Sequence, residues 1–372
     1  MAKMSNEVAV SPIVATLVLI VVAVIGAVAV GTIMGTFSSD VSKQASASQA
    51  ASASQNEIIV AGTFLPIPAE QNIGADFERL NPGTNINVQS GGGDEGILAV
   101  GIGIADIGAV CSPSLITTAQ TSNTNNPTYQ TLYYTQVGGR GVVFIQDQSG
   151  VAVPNNVVAA SDINTLYSNV AADGTEKGIA NNFSTTTNVT VEQFPATRFP
   201  NNVVFGWAGL PYNGQDTIAP NAIVNNLGSD MLTAVKAGSA AHPAFGYIDA
   251  GYAFTGGATS NTTASGIKIV DVATSTGTYV PTQTNIRNAL HDWEYGYAQD
   301  TTSGPNYPQN FVTGIYYVTK GSSPSALTGN RVTTAGVSAA SSQATGFINF
   351  AKSPNEASEW NNNGMYSMYD FM

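Results

Sequence analysis

The chain has 372 residues, of which 43% are hydrophobic and only 10% are charged, against roughly 25% charged residues in ordinary soluble domains. With 24 acidic and 12 basic residues, the net charge is -12 at pH 7, so a nucleic-acid-binding surface is not expected. A single cysteine, Cys111, excludes an internal disulfide, and two isolated histidines make a zinc site or a cysteine–histidine nucleophile unexpected. The composition favours a secreted or surface protein that is not an enzyme and needs no cofactor or metal.

The N-terminal region is predicted to be a membrane-spanning helix. Residues 8–39 contain no charged side chain, and residues 13–37 are almost entirely Val, Ile, Leu, Ala, Gly and Met. About 20 such residues span the hydrocarbon core of a bilayer, and this run is too long for an ordinary secretory signal peptide. The GTIMG sequence at 31–35 either lets a second helix approach closely or simply reflects the glycine content of membrane helices.

The sequence EVAVSPIVAT at 7–16 resembles the start of archaeal type IV pilin-like proteins. The resemblance implies an archaeal source, a leader processed between Lys3 and Val10, and a helix that anchors the chain or assembles it into a filament. We therefore expect residues 1–37 to be leader and transmembrane helix, crossing the cell membrane once. The remainder of the chain is expected on the extracellular side, at the archaeal cell surface.

Residues 38–56, rich in Ser, Ala and Gln, are predicted to form a stalk, because they have too little apolar surface to fold alone. A helical continuation of the anchor is the alternative for the Ala-rich part.

Three Asn-X-Ser/Thr sequences, at Asn182, Asn188 and Asn261, are candidate glycosylation sites of an exposed head.

The head begins as alternating strands and helices. The pattern predicts strands at 58–62, 85–89 and 105–110, with helices at 70–80 and 96–100 between them. This βαβαβ order predicts a parallel sheet whose loops gather at the carboxyl ends of the strands. Further strands are predicted at 142–145, 245–248 and 311–319. Helices are predicted to be capped by Ser161 and by Ser229, and a last helix at 343–352 is followed by Pro354.

Six blocks of the head resemble the phosphate-binding solute receptors of ABC importers, in that family's order. They are IIVAG at 58–62 with LPI at 65–67 and FERLNPG at 77–83, the Gly-rich turn at 91–96 with ADIG at 105–108, SDINTLYS at 161–168, AFGYID at 244–249, IYYVTKG at 315–321, and GFINFAKSP at 346–354. The resemblance implies an α/β, two-lobed fold of the type II periplasmic-binding-protein kind, with two crossing strands and a ligand cleft. It places lobe one at 57–140 plus 248–372 and lobe two at 141–247.

The same resemblance implies an anion site. Its candidate residues are Thr63 and Phe64 in the first loop, Ser90, Gly91, Gly92, Gly93 and Asp94 in the second, Cys111 and Ser112 in the third, and Arg198 in lobe two. Helix N-termini supply N–H donors for an anion, and an arginine supplies a bidentate clamp.

The site departs from its family in three places. Gly93 stands where a serine hydroxyl is usual, Asp94 and Glu95 stand where small neutral residues are usual, and no Ser-Gly-Thr turn follows Arg198. The three glycines are alternatively a tight turn that binds nothing, and Arg198 is alternatively a surface arginine. We expect Asp106 to brace the first loop rather than contact a ligand.

The sequence thus predicts a membrane-anchored extracellular solute-binding protein with a degenerate anion site. Its expected partners are a small anion such as phosphate, or a related solute, and by resemblance the permease of an ABC importer. The alternative is a structural cell-surface or pilus-like filament subunit that reuses the receptor fold, because a fold alone does not fix a function.

Overall fold

The structure is a computed structural model. It describes residues 57–63, 66–122, 129, 131–176, 182–184, 186–195, 199–210, 221–255, 266–295, 307–321, 326–328, 331–334 and 338–371. The predicted leader, membrane helix and stalk lie outside the described residues, as do Phe64, Arg198 and Asn261. Within the described ranges, no helix has the length and apolar character needed to cross a membrane.

Strands and helices alternate through the described part of the chain. The strands are β1 (Glu57–Gly62), β2 (Asn85–Ser90), β3 (Ile107–Val110), β4 (Leu132–Asp147), β5 (Val157–Ala159), β6 (Thr175–Glu176), β7 (Val189–Gln193), β8 (Ile223–Val224), β9 (Ala244–Asp249), β10 (Ile267–Thr274), β11 (Gly277–Tyr279), β12 (Val312–Lys320), β13 (Ala326–Thr328), β14 (Arg331–Thr334) and β15 (Tyr366–Ser367). The α-helices are α1 (Ile67–Leu80), α2 (Gly93–Ile102), α3 (Pro113–Ser122), α4 (Ala160–Ser168), α5 (Phe199–Ala208), α6 (Gly228–Lys236), α7 (Ala250–Thr255), α8 (Gln283–Tyr295), α9 (Ser342–Ala351) and α10 (Ala357–Asn362).

The predicted βαβαβ unit is present. β1 pairs in parallel with β2 on one side and with β3 on the other, so that Val60 lies opposite both Val88 and Ile107. α1 begins three residues before the predicted start. Pro66 precedes it and a second proline lies in its first turn, where a residue without an N–H is tolerated because that N–H has no partner within the helix.

The longest strand, β4, belongs to two sheets. Residues 132–141 pair antiparallel with β12, whereas from Val142 onward the strand pairs with β9, and its last residues pair with β10. The sequence predicted only 142–145, because Gly138, Gly139 and Gly141 weaken the strand pattern. A Cβ at Gly139 would lie 2.6 Å from a methyl carbon of Leu290, so this glycine lets α8 pack closely on the strand.

Helices cover both faces of the first sheet, whose order is β2-β1-β3-β12-β4. One face carries a core built by α1, α9 and α10, with Ile73, Phe347 and Trp360 fully buried. The other face carries α2 and α3 through Ile97 and Ile116. Burial on both faces is typical of a parallel sheet in an α/β protein.

The second sheet runs from β4 through β9 and β7 to β6, around a core rich in aromatic rings. Phe144 stacks on Phe245, with ring centroids 5.8 Å apart, and meets Phe311 edge-on at the same distance. β10 lies in the range predicted for lobe one, but its partners β5 and the end of β4 lie in the range predicted for lobe two. The lobe boundaries stay a prediction.

Ser161 and Ser229 were predicted to cap α4 and α6, and both predictions are wrong because each serine lies inside its helix. Each helix begins one residue before the predicted serine, and a carboxylate at the third helical residue closes the first turn instead. Asp162 accepts a hydrogen bond from the N–H of Ala159 at 2.8 Å, and Asp230 accepts one from the N–H of Leu227 at 3.2 Å. This is the carboxylate half of a capping box, which binds the N–H that precedes the helix.

We predict that Gly96→Ala destabilises the fold. A Cβ at Gly96 would lie 2.5 Å from the Ala61 carbonyl oxygen and 2.9 Å from the Gly62 Cα, so α2 must move away from β1. The expected loss in the free energy of unfolding, measured by urea denaturation, is about 1–3 kcal/mol. Gly206→Ala is the matched control, since nothing lies within 4 Å of its Cβ position on α5, and it should be neutral or stabilising by up to ~1 kcal/mol. Equal effects at both positions would contradict the close packing of α2.

Candidate functional site

The carboxyl ends of β1, β2 and β3 bring the predicted loops together. The carbonyl oxygen of Gly62 accepts hydrogen bonds from the N–H groups of Gly91 and Gly92, both at 3.0 Å, and the N–H of Thr63 donates to the Ala109 carbonyl oxygen at 3.0 Å. A Cβ at Gly93 would lie 3.2 Å from Thr63 Oγ1. Among the candidates, the structure gathers Thr63, Ser90 and the glycines at one edge, with Cys111 and Ser112 directly after the adjoining β3.

The glycine run forms a tight turn between β2 and α2. Gly92 has a φ of 126°, a conformation that residues with a Cβ rarely adopt. The N–H groups of Gly91 and Gly92 are both engaged by the Gly62 carbonyl oxygen. Two of the donors expected to face a ligand therefore hold the turn itself.

Glu95 folds back over this turn. It is the third residue of α2, and its carboxylate reaches the backbone at Gly92, so a side chain at Gly92 would collide with it. A carboxylate at this position can accept from the N–H that precedes the helix, as in a capping box, and it also interacts favourably with the positive end of the helix. The N-terminus of α2 thus already has an anion of this chain beside it.

Cys111, the first residue after β3, is buried and is not a nucleophile. Burial raises the pKa of its thiol to about 12, and the nearby Arg140 guanidinium only partly opposes this shift. The thiol is therefore protonated at physiological pH, and its position beside Arg140 marks where the third loop meets β4.

A buried ion pair lies where β4 passes between the two sheets. Arg140 donates from Nε to Asp249 Oδ1 at 2.8 Å and from Nη2 to Asp249 Oδ2 at 2.9 Å, with side-chain exposures of 3% and 2%. The ring of Phe199, the first residue of α5, lies over the guanidinium at 4.3 Å, within the range of a cation–π contact. This pair was not among the sites predicted from the sequence.

Hydrogen bonds within the second sheet position α5, which carries Phe199. The Tyr247 hydroxyl donates to Asn201 Oδ1, in the first turn of α5, and accepts from the N–H of Phe194 at 3.3 Å. All three groups are buried. The contact between Phe199 and Arg140 therefore rests on a helix whose start is tied to β9.

Glu70 and Tyr317 complete a buried group of polar side chains, which we call the junction cluster: Glu70, Cys111, Arg140, Asp249 and Tyr317. Burial raises the pKa of Glu70 to about 8, partly offset by the nearby Tyr317 hydroxyl. Within the described residues, neither Glu70 Oε1 nor the Tyr317 hydroxyl makes a hydrogen bond of ordinary geometry. Glu70 is thus held as a neutral acid at neutral pH.

Two other sequence-based expectations concern the surface. Asp106 accepts a hydrogen bond from the N–H of Ile59 at 2.9 Å, so it braces β1 at the amino end of β3. The expectation that it braces the first loop is therefore wrong. Asn182 is half-buried and donates to Asp162 at 2.6 Å, whereas Asn188 is exposed. Of these two candidate glycosylation sites, Asn188 is the more accessible.

Among solved structures, the chain is similar to an ABC-type phosphate transport receptor from Vibrio cholerae, with 18% identity and a TM-score of 0.51, over 83% of this chain and 99% of that one. PstS from Borrelia burgdorferi is 12% identical with a TM-score of 0.48, over 84% of this chain and 99% of that one. No protein-family model and no curated protein matches the sequence. The Vibrio likeness shows a mixed α/β fold similar to that of periplasmic binding proteins.

We predict that Glu70 makes stability depend on pH. Its carboxyl stays protonated to about pH 8 in the folded protein but ionises near pH 4.5 when unfolded, so unfolding releases a proton between these values. The free energy of unfolding should therefore fall as pH rises through this window, by a few kcal/mol in order of magnitude. Urea denaturation at pH 5 and pH 8 should show a smaller fall for Glu70→Gln than for the wild type.

Glu57→Gln, at a partly exposed position of β1, is the control for this experiment and should keep the wild-type slope. Burial also raises the pKa of Glu356 to about 7 and that of Asp271 to about 6, and these groups contribute in the same direction in every variant. An identical slope for Glu70→Gln and the wild type would show that Glu70 is ionised in the fold.

Proposed function

We propose that the chain is a membrane-anchored extracellular solute-binding protein, resembling the phosphate receptors of ABC importers, with a degenerate anion site. The observation that carries the proposal is the convergence of Thr63, the Gly91–Gly93 turn and Cys111 at the carboxyl edge of a parallel sheet. Ligands of open α/β sheets bind at this edge. The Vibrio likeness in fold supports the same class of protein.

The degenerate character of the site is argued from three features. Gly93 supplies no hydroxyl, the N–H groups of Gly91 and Gly92 are engaged by Gly62, and the Glu95 carboxylate lies at the positive end of α2. A phosphate placed a few ångströms from this carboxylate would be repelled by about 4 kcal/mol at an effective dielectric near 20. The proposed ligand is a small anion that is held weakly, or a related solute, which is passed to an importer permease.

A hinge motion is part of the proposal. β4 and β9 run side by side from Val142 to Gln146, and they are the proposed crossing strands between lobe one, at 57–140 plus 248–372, and lobe two, at 141–247. Closure of such lobes over a ligand is a common motion in binding proteins. Residues 13–37 are the proposed anchor and 38–56 the proposed stalk, which would hold the head at an archaeal cell surface.

A ligand screen by thermal shift on the purified protein tests the proposal directly. A solute that raises the unfolding temperature with saturation would support solute binding. A screen of oxyanions, sugars, amino acids and oligopeptides without any such solute would favour the structural cell-surface role instead.

We predict that phosphate binds in the high micromolar range or more weakly. Each hydrogen bond lost to a charged group costs about 1.5–3 kcal/mol. Two such losses weaken binding by a factor of hundreds or more, at about 1.4 kcal/mol per tenfold. Calorimetry at neutral pH is the measurement. Asp94→Ser combined with Glu95→Gly should tighten binding, whereas Glu359→Gln on α10 should not.

A sub-micromolar dissociation constant for phosphate in the wild-type protein would refute the degenerate site. The protein would then be better described as a phosphate receptor with an intact anion site.

A second prediction concerns the anchor. The full-length protein should stay with membranes after a high-salt wash, because insertion of an apolar helix does not depend on charge. Ile20→Asp should raise the cost of insertion by about 2.5–3.5 kcal/mol and shift protein to the wash. Residues 57–372 expressed alone are the control and should be recovered without membranes. Release of the wild type by salt would show that residues 13–37 do not span the bilayer.

A further inference from the structure

The Arg140 guanidinium joins three parts of the fold. Residue 140 still pairs with β12, through Thr313, whereas Val142 already pairs with Asp249 of β9. The guanidinium contacts Asp249 at the end of β9 and the Phe199 ring at the start of α5. It is also close enough to the Cys111 thiol after β3 to influence its pKa. It therefore lies between the loop edge of the first sheet and the first residue of α5.

The guanidinium also lies near the third of the converging loops. Cys111 belongs to the third of these loops, and Val110, just before it, lies 3.7 Å from the Cβ position of Gly93 at the start of α2. Arg140, through its neighbour Cys111, is therefore near the loop edge where the proposed anion site lies. Among the arginines whose burial the structure describes, Arg140 alone is buried.

Asp249 already satisfies this guanidinium in the way that an oxyanion would. Two parallel N–H···O bonds, at 2.8 and 2.9 Å, are the bidentate pattern that arginine makes with carboxylates and phosphates alike. An incoming phosphate would have to break the bidentate contact between Asp249 and Arg140 while the carboxylate stays buried, which is strongly unfavourable. The carboxylate is part of the chain, so it is present at all ligand concentrations.

We infer that Asp249 is a built-in anionic ligand of Arg140, and that the pair determines specificity by excluding small oxyanions from the junction of the two sheets. The inference rests on the proposed function, because it concerns which solutes the proposed receptor admits. It assigns Arg140 and Asp249 as specificity-determining residues. It also means that a small oxyanion is held only weakly, and that any tightly bound ligand is a solute of another kind.

The test removes the internal carboxylate and supplies an external one. Asp249→Ala leaves space beside Arg140, and phosphate or formate should then bind there and raise the unfolding temperature more than chloride at equal ionic strength. Phosphate affinity by calorimetry should rise at least tenfold over the wild type. Asp76→Ala is the matched control, because Asp76 pairs with Arg79 at 3.1 Å on the exposed surface of α1, and it should change phosphate affinity less than twofold.

A folded Asp249→Ala protein with unchanged phosphate affinity would overturn the inference. Asp249→Asn, which keeps the shape of the side chain, is the second variant and should also gain affinity for phosphate. Should neither variant fold, hydrogen exchange of the wild type in 10 mM phosphate decides. The inference expects unchanged exchange at residues 138–142 and 199–203, and protection there would overturn it.

The outcomes separate this inference from the proposed function. If the wild type binds no solute in the screen but Asp249→Ala gains phosphate, the exclusion of oxyanions by the pair stands and the proposed function fails. If the wild type binds phosphate tightly, solute binding stands and the inference fails. If the wild type binds a solute other than an oxyanion and Asp249→Ala gains phosphate, both stand.

Discussion

The buried ion pair between Arg140 and Asp249 is the constraint on which the arrangement of the two sheets depends. Ionised groups that leave water are costly, and a pair that is buried this deeply is tolerated only with close geometry and further partners. The bidentate contact and the Phe199 ring supply both. Removal of either charge would leave the other charge buried without this compensation. The need to keep the pair together therefore fixes the positions of β4, β9 and the start of α5 relative to one another.

The alternation of strands and helices in the first sheet was predictable because it is encoded locally. A continuous apolar run from Ile58 to Ala61 gives β1, and Asn81-Pro82-Gly83 ends α1. The length of β4 was not predictable, because glycines that weaken a strand in isolation are required here by the side chains of α8. The starts of α4 and α6 were predicted one residue too late, because serine and the following aspartate are both favourable near a helix start. Only the backbone conformation shows that the aspartate closes the first turn.

The backbone of the candidate site was predicted from the sequence, but its buried charged residues were not. The Gly-rich turn and the strand ends follow from sequence pattern, and the structure brings those loops together. Arg140 was missed because its partner lies 109 residues away in sequence. A signal was present, since an arginine inside an otherwise apolar and glycine-rich strand must find a buried acid. Only the tertiary pairing identifies Asp249 as that acid. The burial of Glu70 could not be predicted either, because nothing in the sequence of α1 indicates that this side chain packs beside Tyr317.

The sharing of one strand between two sheets also sets the order in which the chain can fold as it is made. β4 is synthesised early, but Gly139 pairs with Tyr366 and Leu132 with Lys320, which emerge from the ribosome much later. Non-local pairing of this kind slows folding. Until these partner segments are made, a 16-residue strand that is buried along almost its whole length in the folded protein has unpaired edges, which invite association with other chains. We therefore expect the nascent protein to depend on chaperones or on rapid synthesis of β12 and β15.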